Sequence, residues 1–230
     1  MANTPLDLPR QLNLEQLIAE EAHDLRSPYN QIIGFSKMLQ SEPNPNYPPE
    51  LQREDAGAIY RAGQRALLLM NSLIDIARLN RQEKEANPAE VEIKLLLEQS
   101  LAFWKKFNLS STLQTEYQIN TAASHLNTDE VLLRQTLCSF IMLVAQYIDP
   151  QAKVTLTVEE EPDWLIFKVS GVGKKAQPFS RLDLHMQGYI GRALVELQQG
   201  EIRAAEETDD GASIQFALPR TLPASFGTGN

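Results

Sequence analysis

The sequence predicts two structural parts: an α-helical hairpin that pairs with a second copy into a dimeric four-helix bundle, and an α+β two-layer sandwich that follows it. Apolar residues recur every seven positions through the first third of the chain, interrupted once by a proline-rich segment. Beyond Asn87, apolar and polar residues alternate in short stretches. Heptad spacing is typical of helices packed in a bundle, and alternation is typical of strands.

The first helix is predicted over residues 11–41. Its apolar seam has one member at every seventh position: Ile18, Leu25, Ile32 and Leu39. Residues 41–49 are rich in proline. Proline has no amide proton and restricts the residue before it, so the helix must end there.

A second helix is predicted over residues 50–84, where Ile59, Ala66 and Leu73 repeat the seven-residue step. Two long amphipathic helices joined by a short loop form an antiparallel hairpin. A single hairpin covers only part of its own seam, so a second copy is expected to complete a bundle with twofold symmetry. Leu25 and Ile32 are predicted to lie in that dimer core.

The sandwich is predicted from a mixed order of strands and helices. Lys153–Val158 and Trp164–Val169 have the pattern of paired strands, and 129–148 that of a strongly apolar helix. The predicted boundaries follow: an N-terminal tail at 1–12, the dimerisation hairpin at 13–86, the sandwich at 87–220 and a C-terminal tail at 221–230.

Composition excludes several classes of partner. A net charge of -9 argues against nucleic acid, which needs clustered Lys and Arg. No stretch is apolar over the ~18 residues of a membrane span, and Met1–Pro9 lacks the basic and apolar segments of a secretory signal. The single cysteine, Cys138, lies in an apolar run and predicts a buried, inert thiol. A cytoplasmic protein without membrane or metal is expected.

His23 is the strongest candidate for chemistry. It follows Ala22, a seam position, so its ring is predicted to lie at the edge of the bundle, within reach of a docking protein. The adjacent Asp24 can accept a hydrogen bond from one ring nitrogen and make the other more nucleophilic. Pro28 has no backbone N–H to donate to the carbonyl of Asp24. The helical turn after His23 is therefore predicted to be loosened or kinked.

The segment His23-Asp24-Leu25-Arg26-Ser27-Pro28, followed by Ile32-Ile33-Gly34-Phe35-Ser36, resembles the H-box of histidine kinases. Leu68 to Leu79 resembles the second bundle helix of that family. The resemblance implies that His23 is the phosphoacceptor and Asp24 the acid that assists proton transfer. Ser27 stands where the family has Thr or Asn, the residue that orients water for dephosphorylation of the response regulator.

The chain from 88 to 220 resembles the ATP-binding domain of the same family, but the nucleotide positions differ. The two asparagines that would hold magnesium correspond to Ser139 and Leu143, and the adenine-reading aspartate corresponds to Val169. Gly171 and Gly173 of the first glycine box are present. The family has a second glycine box that approaches the phosphates, and Gly188 and Gly191 do not fall on its positions. An ordinary role in a turn or in helix packing is the simpler interpretation of these two glycines. No bound cofactor is therefore expected.

Three functions are open at this point. The first is a histidine phosphotransferase that exchanges phosphoryl groups between His23 and receiver-domain aspartates of response regulators, without ATP. The second is a divergent histidine kinase core that still uses Mg-ATP. The third is a non-catalytic pseudokinase scaffold that docks a response regulator or pairs with a partner histidine kinase. The intact histidine segment beside altered nucleotide positions favours the first.

Overall fold

The computed structural model describes residues 4–40, 48–107, 112–173, 181–208 and 210–220. These residues form two compact units. One is helical and comprises Asn13–Ala77; the other is α/β and combines the chain up to Leu12 with the chain from Arg78 onward. Part of the predicted proline loop, 41–47, and the predicted C-terminal tail lie outside the described residues.

In the helical unit, the first predicted helix is interrupted. Helix α1 spans Leu14–Glu20 and helix α2 spans Ala22–Gln40. Asn13 caps α1, because its side chain accepts a hydrogen bond from the Gln16 amide at 3.1 Å. Glu21 separates the helices with φ -107° and ψ 20°, and its carbonyl accepts from the Leu25 amide at 3.1 Å. The prediction of one continuous helix over 11–41 is therefore wrong at Glu21.

Helix α3 spans Pro49–Asn80 and carries two different apolar stripes. The buried stripe is rich in small residues at spacings of three and four: Ala62, Ala66, Leu69, Ser72 and Ile76. The exposed stripe consists of larger side chains: Tyr60, Leu67, Met70 and Ile74. Small residues permit close packing on one face, while the second face leaves bulky apolar groups in contact with solvent.

The α/β unit contains a six-stranded and a two-stranded sheet. Its strands are β1 (Thr4–Pro5), β2 (Ala89–Glu92), β3 (Gln114–Asn120), β4 (His125–Thr128), β5 (Lys153–Glu160), β6 (Trp164–Val172), β7 (Glu201–Thr208) and β8 (Gly211–Pro219). Its helices are α4 (Ile93–Phe107), α5 (Glu130–Ala145) and α6 (Arg181–Leu197). The larger sheet has the order β1-β7-β8-β6-β5-β3, and β2 pairs with β4.

Most neighbours in the large sheet are antiparallel, and β3 pairs with β5 in parallel. A parallel pair needs a long crossover, and this one contains α5. Helix α5 is buried over most of its length, because its sequence is apolar on nearly every face. Three aromatic rings join this helix to the sheet, with centroids 5.5 Å apart for Phe140 and Phe216 and 5.2 Å for Phe167 and Phe216.

Gly191 allows α6 to approach this aromatic cluster closely. A Cβ atom at that position would lie 2.3 Å from Cε1 of Phe140. We expect Gly191→Val to destabilise the protein by about 1–3 kcal/mol through overpacking, measured by urea unfolding. Gly63 has no heavy atom within 4 Å of the corresponding point, so Gly63→Val should be close to neutral, because valine has a slightly higher helix propensity than glycine. Equal losses for both variants would contradict this account.

The N-terminal residues differ from the predicted tail. Thr4 and Pro5 form β1, which pairs antiparallel with Glu207 and Glu206 at the edge of β7. Leu6 and Leu8 are both buried and belong to the core of the α/β unit. The prediction of a tail over 1–12 is therefore wrong for the described residues from Thr4 onward, because two leucines at alternating positions supply a buried face to an extended strand.

Candidate functional site

His23 is the second residue of α2 and is almost fully solvent-exposed, with 95% of its side chain accessible. Its Nδ1 lies 3.4 Å from Oδ1 of Asp24, whose side chain is 41% exposed. The ring was predicted to lie at the edge of the bundle, within reach of a docking protein, and in the single chain it is open to solvent. A docking protein can approach the ring from solvent without rearrangement of this unit.

The His23–Asp24 contact suits a nucleophilic imidazole. In the neutral tautomer with a proton on Nδ1, that proton is directed to the carboxylate, and Nε2 retains a free lone pair. At 3.4 Å the hydrogen bond is long. Asp24 lies in the first turn of α2, where the partial positive charge of the helix N-terminus favours a carboxylate. The arrangement can orient the ring and balance positive charge that develops on it.

The turn after His23 contains Ser27 and Pro28. Pro28 is buried inside α2 and leaves the carbonyl of Asp24 without its usual helical donor. The helix nevertheless continues through Pro28 to Gln40, and the backbone irregularity lies before His23, at Glu21. The predicted loosening after His23 is therefore not seen as a break in the helix. Ser27, four residues after His23, lies on the same helical face; its role stays a prediction.

The residues at the nucleotide positions are enclosed in the core. Ser139 and Leu143 of α5 are 2% and 1% exposed, and Val169 of β6 is fully buried. Leu143 and Val169 offer only hydrocarbon, and all three are members of closely packed elements. The sequence indicates that these three residues differ from those that bind magnesium and adenine in the family. In the structure their side chains are also buried.

The glycines of the first box also pack against apolar groups. A Cβ atom on Gly171 would lie 2.7 Å from Cδ1 of Ile148 and 2.8 Å from Cγ1 of Val144. A Cβ atom on Gly173 would lie 2.6 Å from Cβ of Ala152. These glycines allow β6 to approach the end of α5 and the loop after it. Close packing is sufficient to explain both of them.

The cysteine and the other two histidines lie outside the His23 site, and each has its own local environment. Burial raises the pKa of the Cys138 thiol to about 12, which keeps it protonated at neutral pH and agrees with an inert thiol. His125 is exposed, with Nδ1 2.9 Å from Oγ of Ser124. His185 pairs with Asp7 at 3.7 Å. Within the described ranges, no three or more His, Cys, Asp or Glu side chains are placed to hold a metal ion.

Comparison with known proteins gives a family match for the helical part of the chain. Residues 13–82 match the family model of the His Kinase A (phospho-acceptor) domain. The circadian input-output histidine kinase CikA of Synechococcus elongatus is 26% identical over 226 residues, which cover 89% of this chain and 30% of that protein. A sensor-like histidine kinase of Rhizobium meliloti is 23% identical over 205 residues, with coverages of 88% and 38%. This chain spans about a third of the length of these relatives.

Solved structures share the fold. The histidine kinase AdeS of Acinetobacter baumannii superposes with a TM-score of 0.63 at 15% identity, over 87% of this chain and 98% of that one. The histidine kinase ThkA, solved in complex with the response regulator protein TrrA, gives a TM-score of 0.64 at 18% identity, over 90% and 62%. The predicted fold class, a helical hairpin followed by an α/β sandwich, is confirmed. No helix among the described residues has the length and apolarity to cross a membrane.

Proposed function

We propose that this chain, which has the core of a two-component histidine kinase, acts as a histidine phosphotransferase that works without ATP. His23 would exchange phosphoryl groups with the receiver-domain aspartates of response regulators. The observation that carries the proposal is the contrast between two sites: an almost fully exposed His23 beside Asp24, and predicted nucleotide positions whose side chains are buried and, at Leu143 and Val169, apolar.

The proposed transfer is chemically balanced without a further reactant. The Nε2 lone pair of neutral His23 attacks the phosphorus of an aspartyl phosphate. A P–N bond forms, the P–O bond to the receiver carboxyl breaks, and the receiver aspartate leaves as a carboxylate. The Nδ1 proton stays between His23 and Asp24, whose negative charge stabilises the phosphorylated ring. The reverse step returns the phosphoryl group to the same or another receiver.

The nucleotide positions do not fit Mg-ATP. Magnesium demands oxygen ligands in octahedral geometry, and Leu143 has no oxygen to offer. Val169 cannot accept a hydrogen bond from an adenine amino group, and its side chain is enclosed. Ser139 retains a hydroxyl, but that residue is also buried. These features support a chain that obtains phosphoryl groups from another protein.

A homodimer through the helical hairpin is part of the proposal. Each copy exposes bulky apolar side chains on its helices: Ile18, Tyr29, Ile33, Tyr60, Leu67, Met70 and Ile74. A second copy of the same hairpin can cover such stripes by forming a four-helix bundle. The receiver domain would then dock on the exposed histidine face. Location in the cytoplasm, where a free thiol such as Cys138 stays reduced, is proposed with it.

Phosphotransfer from a radiolabelled receiver domain to the wild-type chain, compared with His23→Gln, tests the function. Label on the wild type alone supports transfer. A chain that binds the receiver, or a partner histidine kinase, but never accepts label would be a scaffold. A chain that labels itself from Mg-ATP would be a divergent kinase.

Mg-ATP is expected to leave the thermal unfolding temperature unchanged. A ligand present at 100 times its dissociation constant stabilises a protein by about 2.7 kcal/mol, a shift of several degrees that scanning fluorimetry resolves. Millimolar Mg-ATP should produce no such shift here, because Leu143 and Val169 present only buried hydrocarbon and Ser139 is buried as well. A histidine kinase core with the usual asparagines serves as the positive control. A saturable, magnesium-dependent rise in this chain would contradict the expectation.

A further inference from the structure

The N-terminal segment, residues 4–12, is named here the strap. Its strand β1 pairs with the edge of β7, and the Leu6 amide continues the pairing by donating to the Ala205 carbonyl at 2.9 Å. Leu6 and Leu8 are each 7% exposed, whereas the Asp7 side chain between them is 69% exposed. This alternation is that of an extended strand with one face in the core.

Helix α6 receives the strap through a notch at Gly188. A Cβ atom on Gly188 would lie 2.7 Å from the Asp7 carbonyl oxygen and 3.3 Å from Cδ of Pro9. The nearest atom belongs to backbone, so any side chain at 188 would displace the strap. One turn further along, Arg192 donates from Nε to the Leu8 carbonyl at 2.7 Å. Gly188, outside the pattern of a phosphate-binding box, thus has a specific structural role.

The last residue of the strap, Leu12, is hydrogen-bonded to Asn80, which lies where the chain re-enters the α/β unit. Asn80 donates from Nδ2 to the Leu12 carbonyl at 3.1 Å and accepts at Oδ1 from the Tyr189 hydroxyl at 2.6 Å. Leu12 and Asn80 flank the points where the chain leaves the α/β unit and re-enters it. The Asn80 side chain therefore links both points, Leu12 and Asn80 itself, to Tyr189 of α6.

We propose that the β7 edge and the Gly188 notch form a strand-docking groove on the α/β unit, occupied reversibly by the chain's own strap. Addition of an edge strand is a common mode of peptide binding, in which main-chain bonds give affinity and alternate side chains give specificity. Here the groove selects an extended Leu-x-Leu segment followed by proline. The free energy gained by burying two leucines is of the same order as the conformational entropy lost when nine residues become ordered. The strap is therefore held weakly enough to dock and undock.

Release of the strap would free the segment of chain that leads into α1, because α1 begins at Leu14, directly after the Asn13 cap. A protein or domain that captures residues 4–12 would free Leu12 from Asn80 at the same moment.

Hydrogen exchange on the full chain tests the proposal. The Leu6 amide should exchange at least about tenfold more slowly than an unstructured amide in the wild type. Gly188→Ala should remove most of that protection by displacing Asp7. Gly63→Ala is the matched control: it makes the same change inside a helix, in open space, and should leave Leu6 protected. Exchange at Val158 and Phe167, paired in the sheet centre, reports whether each variant is folded.

If Gly188→Ala disturbs the sheet centre, the double variant Leu6→Asp, Leu8→Asp tests the docking of the strap in its place. This variant changes residues of the strap and leaves α6 and β7 as they are. In this variant the backbone amide of residue 6 should exchange at the rate of an unstructured amide, while the amides of the sheet centre stay protected. An unprotected Leu6 in the wild type, or full protection in the folded Gly188→Ala protein, would overturn the proposal. Protection that disappears on dilution would also overturn it, because the occupant would then be the strap of a second copy.

Discussion

Changing His23 to glutamine is expected to abolish phosphoryl transfer from a phosphorylated receiver domain to this chain. The glutamine amide nitrogen has no available lone pair, whereas the exposed His23 ring presents Nε2 to solvent. The substitution occurs at a side chain that is 95% exposed, so folding should be unaffected. Incubation with a radiolabelled receiver, followed by denaturing electrophoresis, measures the loss, and acid lability of the label identifies a phosphohistidine.

Asp24→Asn provides a graded comparison for the same assay. The amide preserves size but removes the charge that faces Nδ1 at 3.4 Å. We expect transfer to slow by about 100-fold, the lower end for loss of one electrostatic contact that stabilises the reacting group. His125→Gln, at an exposed ring outside the helical unit, should have no effect. Equal labelling of His23→Gln and the wild type would show that His23 is not the acceptor.

Introducing a charge at Ile32 is expected to separate the proposed dimer into monomers. Ile32 lies on the predicted seam, half-buried within one copy, and becomes fully enclosed if a second hairpin packs on it. A carboxylate without a partner in that interface should weaken association by at least about 100-fold. Size-exclusion chromatography with light scattering distinguishes the mass of two chains from that of one.

Gln31→Glu is the matched control for Ile32→Glu. It introduces the same negative charge one residue earlier, at an exposed polar position of α2, and should leave the mass unchanged. Leu25→Glu, on the same seam, should behave as Ile32→Glu does. A wild-type chain that is monomeric at micromolar concentration would contradict the expectation before any variant is made.

The sequence was sufficient for the architecture because its signals are local and strong. Heptad spacing located both long helices, and alternation located β5 and β6 close to their observed bounds. The helix from Asp129 was equally accessible, since Asp129 caps α5 by accepting from the Leu132 amide at 2.9 Å. His23 was found from its neighbours and from the resemblance of the segment around it.

Features that depend on tertiary contacts were not accessible in this way. The break at Glu21 follows no glycine or proline, and β4 has only four residues, recognisable mainly by its pairing with β2. The strap was missed because a short Leu-Asp-Leu segment before a helix has no periodicity of its own to detect. Its signal is divided between Leu6, Leu8 and the distant Gly188, which meet only in the folded chain.

The central claim is that His23 takes phosphoryl groups from aspartyl phosphate and not from ATP. Parallel incubations of the wild-type chain with a radiolabelled phosphorylated receiver and with γ-labelled Mg-ATP test it, with the modified residue located by peptide mass spectrometry. The account predicts label on His23 from the receiver and none from Mg-ATP. Label on His23 from Mg-ATP, in a preparation free of other kinases, would contradict it.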